Sequence, residues 1–489
     1  MKTQKTPIPH DLLEHLLDAE KLKYCFECGI CTASCPMTEL LPNTYNPRIL
    51  LEKIYHNPQK ALEDPALWLC AWCYRCYRRC PQKVKLPEVL LSVRKIAKEQ
   101  HKLEGFNRAL ELITQEIPFP KSFSFVCLHP ERAELENPIK SVEKHAVGKR
   151  KKAKPASQHE TSTVKVAIIG AGPAGLTAAH ELAKKGYLVT VFESSSQPGG
   201  MLRQGIPEFR LPKKVVDAEI EHVRDMGVEI KTSVKIGKDL TFEDLWKQGF
   251  KAIFLSVGAH KTRKLGVEGE DLQGVFDALD FLEKVNCGEK VNIGERVAVI
   301  GGGNVAVDSA RTAVRAGAKE VSIFYRRSRD EMPANPYEVK ETEHEGIKIQ
   351  LLVAPTRIVG QDGHVNGLEC VKMTLGELDA TGRRAPSPVE GSEFMVSVDS
   401  VILAIGEAPD LSFLPKEVEV NEDNTITIEP FTVETSTLGV FAGGDCVSGP
   451  ATVIEAILAG KKAADCIDRY LKNEKPLKAE QVLEGGSKP

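Results

Sequence analysis

No long hydrophobic run occurs in this sequence. Nowhere in its 489 residues does an apolar stretch approach the 18 or so residues of a membrane span, so a membrane protein is not expected. Met1 to Glu20 is polar and amphipathic, without the apolar stretch of a secretory signal. Charge of one sign is also missing. Lys+Arg 65 against Asp+Glu 68 gives a net charge of −3, too near neutral for a general nucleic-acid binder. With 42% hydrophobic and 27% charged residues the chain is not disordered either. These absences leave a cytoplasmic globular protein, and its length suggests about three domains at roughly 150 residues each.

Cysteine is plentiful. There are 13, and eight of them fall within residues 25–80. In a reducing compartment such clustering points to metal rather than disulfides. Cys25, Cys28, Cys31 and Cys35 follow C-x2-C-x2-C-x3-C with Pro36 directly after; Cys70, Cys73, Cys76 and Cys80 repeat the spacing with Pro81 after. Three thiolates at two-residue gaps can wrap three irons of one cubane, while the fourth, turned by proline, points to the other cluster. One [4Fe–4S] cluster is therefore expected on Cys25, Cys28, Cys31 and Cys80, and a second on Cys70, Cys73, Cys76 and Cys35. A zinc site would use ligands as two pairs, not four in a row. Gly29 is expected to give the backbone room beside the first cluster. Phe26, Trp72, Tyr74 and Tyr77 either exclude water from the clusters or pack as ordinary core. The other five cysteines (Cys127, Cys287, Cys370, Cys446 and Cys466) share no spacing. With its flanks NPRILLEK and LWLCAWCYRCYRRCP, the segment over roughly residues 15–110 resembles the dicluster subunit of heterodisulfide reductases and related helical iron–sulfur carriers.

Residues 1–140 are expected to form this mainly α-helical unit, with a helix at His10–Lys23 and a second helical stretch from Pro87 to Gln115 ended by Pro118 and Pro120. Residues 141–162 are basic and poor in large apolar side chains and read as a linker; Lys149 to Lys154 is taken as solvated rather than as a binding patch. From Thr163 onward, short Val/Ile runs alternate with Ala/Leu helices, the rhythm of α/β domains with parallel sheets. VKVAIIGAGPAGLTAAHELAKKGYLVTVFES (164–194) and RVAVIGGGNVAVDSARTAVRAGAKEVSIFYR (296–326) are two β-α-β units of one design, so the chain carries two Rossmann-like dinucleotide sites. Residues 163–285 with 397–474 are assigned to an FAD-binding domain, 286–396 to an NADP(H)-binding domain with a hairpin-rich stretch at 360–400, and 475–489 to a charged tail.

In the first unit Gly170, Gly172 and Gly175 of GAGPAG, with Pro173 and Ala174, let a pyrophosphate approach a helix N-terminus, and Glu193 ends the second strand where it can hold ribose hydroxyls. PGGMLRQGIPEFRLP (198–212) resembles the flavin-contacting segment of the glutamate synthase small subunit family, within the pyridine nucleotide-disulfide oxidoreductases. GVFAGGDCVSGPATVIEAILAGKKAA (439–464) resembles the second FAD signature of that superfamily. The resemblance spans residues 164–470, including VILAIGEAPD (401–410). It implies that Gly200, Met201, Leu202, Arg203, Gly205, Ile206 and Arg210 line the FAD site. It also implies that Gly444 and Asp445 meet the ribityl or pyrophosphate region, and that Ala451 and Thr452 lie at the pyrimidine end.

The second unit supplies Gly301, Gly303 and Ala306, with Asn304 and Val305 at the helix start. Aligning VTVFE (189–193) with VSIFY (321–325) puts Tyr325 where the FAD half has Glu193, and Arg326 and Arg327 follow. Guanidinium pairs with a 2′-phosphate whereas an acid repels it, so this site reads as one for NADP(H), with NADH as the alternative. YRRSRDEMPA (325–334) resembles the NADP segment of the same family.

NADPH delivers a hydride, a [4Fe–4S] cluster takes one electron, and FAD can do both. The expected order is NADPH, FAD, clusters, partner, and no acid–base residue is named for the hydride step. No C-x-x-C occurs after Thr163, which argues against a dithiol relay. Cys446, beside Asp445, reads as a small buried side chain. The resemblance thus implies the NADPH module of a larger hetero-oligomeric complex with iron–sulfur or flavin subunits, ferredoxin among the candidate partners and electron bifurcation left open. The amino-terminal half of dihydropyrimidine dehydrogenase and the NADPH-binding subunit of electron-bifurcating transhydrogenase are similar assemblies. A glutamate synthase small subunit is the alternative enzyme, and a non-catalytic scaffold the alternative of another class.

Overall fold

Proline at the first helical position costs a helix nothing, since its missing N–H has no partner there. Pro36, Pro47 and Pro58 each open a helix in this way. The N-terminal unit is built of short pieces: α1 (Ile30–Ala33), α2 (Pro36–Leu40), α3 (Pro47–His56), α4 (Pro58–Ala61), α5 (Arg75–Arg78), α6 (Leu86–Glu99), α7 (Glu104–Glu116) and α8 (Pro120–Cys127). Asn46 and Asn57 cap two of them with their side-chain oxygens. The computed structural model describes residues 25, 27–127, 163–379 and 382–474. The helix expected at His10–Lys23, Phe26, the linker and the tail lie outside the described residues.

The stretch expected as one helix over 87–115 is two. Residues 100–103 interrupt it, with His101 at φ 55. The turn brings Val93 and Ala97 of α6 and Ala109, Leu110 and Ile113 of α7 into one core with Trp68. No glycine or proline marks the break; burial of both apolar faces overrides a continuous helical pattern. Arg94 is fully buried in this unit. Its Nε donates to the Leu67 carbonyl at 2.8 Å and its Nη2 to the Cys70 carbonyl at 3.4 Å, with the guanidinium over the Trp68 ring. A buried cation satisfied by backbone carbonyls holds the chain as it enters the second quartet.

Strands buried on both faces read as unbroken apolar runs, and two such sheets follow. β1 (Lys165–Ile169), α9 (Pro173–Lys184) and β2 (Leu188–Phe192) form the first β-α-β unit, continued by α10 (Lys213–Asp225), β3 (Glu229–Lys231), β4 (Phe250–Leu255) and β5 (Lys261–Thr262). The second comprises β6 (Val275–Asp277), α11 (Ala278–Asn286), β7 (Arg296–Ile300), α12 (Asn304–Arg315), β8 (Glu320–Tyr325), α13 (Pro336–His344) and β9 (Lys348–Leu351). Next come β10 (Val353–Gln361), β11 (His364–Leu378), β12 (Arg384–Pro388) and β13 (Phe394–Val396), then β14 (Ser400–Leu403), β15 (Glu407–Ala408), β16 (Val440–Ala442) and α14 (Val453–Leu471). The sheets are ordered β16-β4-β1-β2-β3 and β6-β14-β7-β8-β9, all parallel. Four strands correspond in order, β4-β1-β2-β3 with β14-β7-β8-β9, as the internal repeat requires. β10 to β13 form an antiparallel layer turned at Asp362-Gly363, in the hairpin-rich stretch.

The boundaries assigned from sequence move. β6, α11 and β14 lie in stretches given to the FAD domain, yet β14 hydrogen-bonds between β6 and β7 in the second sheet. β5 and β15 pair antiparallel where the chain enters and leaves the second half, so the insertion runs from about 263 to 406 rather than from 286 to 396. The physical reason is edge completion: β7 needs a partner on its far side, and β14 supplies it.

The N-terminal unit is fastened to the flavin half. Phe119 is buried in the core under β1 and α9. Glu219 of α10 accepts from the backbone N–H groups of Lys121 and Ser122 at 2.6 and 3.1 Å, tying down the start of α8. α14 is shared: Ile454 and Ile457 belong to the core of the N-terminal unit, and Ala463, Ala464 and Ile467 to that of the flavin half.

Candidate functional site

β1 is followed by Gly170, whose N–H donates to the Phe192 carbonyl at 2.8 Å, and β7 by Gly301, whose N–H donates to the Phe324 carbonyl at 3.0 Å. The strand register therefore places Tyr325 where the first half has Glu193, as the sequence alignment expects. Both turns open at the carboxyl ends of parallel strands, where nucleotides bind in such sheets.

One cavity of about 560 Å³ occupies the cleft between the halves. Gly170, Gly172, Pro173, Ala174 and Glu193 line it at the first turn, Gly200, Met201, Gly205, Ile206 and Arg210 along the segment after β2, and Gly444, Asp445, Ala451 and Thr452 beside α14. Three expected residues are not there. Leu202 is fully buried in the core of the flavin half, and Arg203 turns away, its Nε donating to the Pro198 carbonyl at 2.8 Å and its guanidinium paired with Asp217. The short turn at 200–202 shows backbone and Met201 to the cleft and sends the next side chain into the core. Gly175 is not part of the wall: it lies inside α9, packed on the Gly170 carbonyl.

Glu193 is held ready at the strand end. Its Oε2 accepts from the Ala171 N–H and its Oε1 from the Ser195 N–H, both at 2.8 Å. Burial pushes the Asp445 carboxyl up to about 6, against a bond from the Ala451 N–H, with the Glu455 charge adding to the rise. Burial also raises Glu407, with Asp445 as the neighbouring charge, and lowers His260. Glu407, His260 and Asp308 line the cavity without having been expected. Asp308 was discoverable, because it stands one helical turn from Asn304 on the same face of α12. Cys446 is a buried side chain beside this wall, its Sγ within reach of the Leu255 and Gly443 carbonyls.

At the second turn, Asn304 and Val305 line the same cavity, so the two nucleotide sites open into one another. Gly303 is the N-cap of α12, and the Asn304 Oδ1 accepts from the Asn335 N–H at 2.9 Å. The halves are bridged at the cavity wall by Arg210, whose Nη1 donates to both Asp308 oxygens at 2.7 and 2.6 Å. The two expected arginines part ways. Arg326 is exposed at the end of β8, but Arg327 is buried and donates to Asp379 of the hairpin layer at 2.5 Å. Arg327 is therefore committed to holding the hairpin against β8, and of the two only Arg326 is exposed.

The eight thiols fall into two adjoining sets. Cys31, Cys80 and Cys28 are the thiols that act on Cys25, with Arg48 opposing them, whereas Cys70 and Cys35 act on Cys73; Cys76 feels Cys70, Cys73 and Cys35 before Cys31 of the other set, so the two sets adjoin at Cys76 and Cys31. A small cavity is lined by Cys25, Cys28, Cys31 and Cys80, and by Cys76 of the second set. Burial, reinforced by neighbouring thiols, pushes Cys25 and Cys35 up to about 11 and Cys73 to about 12. Burial here disfavours free thiolates, and a bound metal centre supplies the positive charge that would offset it. Among the described residues no three His, Cys, Asp or Glu side chains converge tightly enough for one metal ion; a cubane, with an iron at each corner, takes a wider spread. Gly29 and Tyr74 hold equivalent positions, both left-handed (φ 68 and 58) immediately before α1 and α5. At φ 68 the Gly29 position is one that glycine adopts without strain, and a Cβ there would meet no protein atom nearer than Arg48 Nη1 at 3.9 Å. Trp72 and Tyr74 are buried core side chains.

The second set is linked to the helix that walls the cleft. The first turn of α14 carries Thr452, Val453 and Ala456 on the cavity wall. Glu455, on that same turn, accepts from the Thr452 N–H at 2.9 Å and from its hydroxyl at 2.6 Å, and is ion-paired with Arg75. Arg78 donates to the Pro333 carbonyl, and Trp72 packs edge-on to Tyr337.

The pyridine nucleotide-disulphide oxidoreductase family profile matches residues 164–460, and that of the 4Fe-4S dicluster domain matches residues 21–84. The chain is 41% identical to the β subunit of NADP(+)-dependent formate dehydrogenase of Moorella thermoacetica, over 81% of this chain and 60% of that protein. It is 37% identical to the β subunit of NADPH-Fe(3+) oxidoreductase of Geobacter sulfurreducens, over 83% and 65%. It thus spans less than two thirds of these two relatives. The glutamate synthase [NADPH] small chain of Escherichia coli is 40% identical over 63% of this chain and 68% of its own. Mycobacterium tuberculosis FprA, solved in complex with NADPH, shares the fold at 21% identity and a TM-score of 0.55, over 66% of this chain and 89% of that one. No helix among the described residues is long and apolar enough to cross a membrane.

Proposed function

We propose, from the premise that this chain belongs to the pyridine nucleotide-disulphide oxidoreductase family, that it is an NADPH-dependent FAD and iron–sulfur oxidoreductase, the pyridine-nucleotide module of a larger cytoplasmic complex. The observation that carries this reading is the shared cavity: the residues of the first turn and those of the second line one cleft, whose far wall is the helix tied to a cysteine quartet. When bound, FAD supplies the exchange between a hydride pair and single electrons that joins a nicotinamide to [4Fe–4S] clusters.

The chain's own residues bind, orient and shield. The N-terminal N–H groups of α9, exposed by Gly170 and Gly172, would take the FAD pyrophosphate, with Glu193 on the ribose. Asp445 would face the ribityl chain and Thr452 the pyrimidine edge. The start of α12, with Asn304 and Val305, would take the second pyrophosphate and bring the nicotinamide into the cleft, where Arg210 on Asp308 fixes one half against the other. Cys25, Cys28, Cys31 and Cys80 would hold one cluster, and Cys35, Cys70, Cys73 and Cys76 the other. Electrons would leave to an iron–sulfur or flavin subunit.

Arg326→Ala should remove a charge-assisted contact to the 2′-phosphate, about 1.5–3 kcal/mol. KM for NADPH should rise about ten- to a hundredfold, with KM for NADH nearly unchanged. Arg327→Ala should affect both nucleotides alike, through the hairpin. Equal losses for NADPH and NADH in the Arg326 variant would remove the 2′-phosphate assignment.

The test of the proposal is on the acceptor side. Stripping iron with a chelator should leave NADPH oxidation by ferricyanide, which draws on the flavin, and abolish NADPH-driven reduction of a ferredoxin. Ferredoxin reduction that survives the loss of iron would contradict it. Similarity to the glutamate synthase small chain favours a second reading, under which adding a large subunit produces glutamine-dependent NADPH oxidation.

A further inference from the structure

The flavin cleft and the N-terminal unit meet across one helical turn. Thr452, Val453 and Ala456 line the cavity, while Ile454 and Ile457, on the adjoining side of the turn, are buried in the core that surrounds the cysteines, against which Val453 also packs. Glu455 joins the two sides. One carboxylate oxygen closes the capping box on Thr452, and the other is paired with Arg75. Arg75 stands between Cys73 and Cys76 in the chain, and Glu455 is close enough to Cys73 to act on it electrostatically. The pair links residues 380 positions apart and is half-buried. By contrast Cys28, of the other set, is exposed at the surface.

We infer that Glu455 and Arg75 are positioning residues that fix the cluster of Cys35, Cys70, Cys73 and Cys76 against the flavin as its first electron acceptor, leaving the cluster of Cys25, Cys28, Cys31 and Cys80 as the exit toward the partner. This rests on the flavin and iron–sulfur reading above. The step served is the passage of one electron, oxidising the flavin by one equivalent and reducing the cluster by one, with no bond made or broken at either side chain. The pair acts in two ways. It holds the first turn of α14, and with it the flavin edge, at a set distance from the cysteine loop. It also places two opposite charges beside the cluster, each of which biases the energy of adding an electron.

The two charges give the test its signature. In the full chain, loaded with FAD and iron, EPR-monitored redox titration with dithionite should show one of two cluster signals moving. Glu455→Gln removes a negative charge and should make that cluster easier to reduce; Arg75→Met removes a positive charge and should make it harder. Glutamine can still close the capping box, so the first variant keeps the helix start, and the second signal should stay in place in both. In stopped-flow experiments bleaching of the flavin by NADPH should be unchanged, while onward transfer to the cluster slows at least tenfold in both variants and recovers in Arg75→Lys. Shifts of the same sign, shifts in both clusters, or unchanged onward rates would overturn the inference. Failure of the wild-type flavin to respond to NADPH would instead overturn the functional reading, since the dithionite titration reports on the pair without NADPH.

Discussion

Gly175→Ala should yield a protein that purifies almost free of flavin. A Cβ at this position would stand 2.0 Å from the Gly170 carbonyl oxygen and 2.6 Å from the Ser256 hydroxyl. The first of these is backbone at the end of β1 and cannot rotate away, so α9 must retreat from the strand. The overpacking itself costs about 1–3 kcal/mol. The larger effect is on the ligand, because withdrawing the start of α9 moves the N–H groups aimed at the pyrophosphate. Flavin released by heating the variant, measured by absorbance near 450 nm, should fall to a small fraction of the wild-type content. A wild-type flavin content would show that the close approach of α9 to β1 does not build this site.

Cys35→Ala and Cys80→Ala should each delete one cluster, and each the one associated with the distant quartet. Cys35 lies in the first run of cysteines but sits with Cys70 and Cys73, and Cys80 lies in the second run but sits with Cys25. The Cys35 variant should therefore lose the same EPR signal as Cys73→Ala, and the Cys80 variant the same signal as Cys25→Ala, with iron falling by about half in each. Pairing by sequence, Cys35 with Cys25 and Cys80 with Cys73, would contradict the crossed arrangement. The two losses should also differ in consequence. Without the Cys35 cluster, NADPH bleaches the flavin but no electron reaches the remaining cluster; without the Cys80 cluster, the electron reaches the Cys35 site and stops there.

What was legible in the sequence is what a short stretch of chain determines by itself. The glycine turns and the strand-end residue can be read because a phosphate-binding turn needs its glycines, its helix start and its acid within one β-α-β unit, and the structure superimposes the two units in the same register. The hairpin at Asp362-Gly363 is equally local. What was not legible depends on distant partners. Arg327 and Arg326 look alike in sequence, and it is Asp379, 52 residues on, that engages Arg327 and leaves Arg326 exposed. β6 and β14 are three and four residues long, too short to announce which sheet they complete. The break at residues 100–103 carries no proline or glycine and follows from two apolar faces sharing one core. The pairing of Arg75 with Glu455 has no local pattern at all.

The central claim is that electrons from NADPH enter at the flavin and leave through the cysteine quartets. An anaerobic titration of the iron-loaded full chain with NADPH, following flavin absorbance and cluster EPR together, tests it most directly. The account expects the flavin to bleach with NADPH in preference to NADH, and reduced-cluster signals to grow as it does. A flavin that NADPH leaves oxidised, or that bleaches while both clusters remain silent even with a low-potential acceptor protein present, would contradict it.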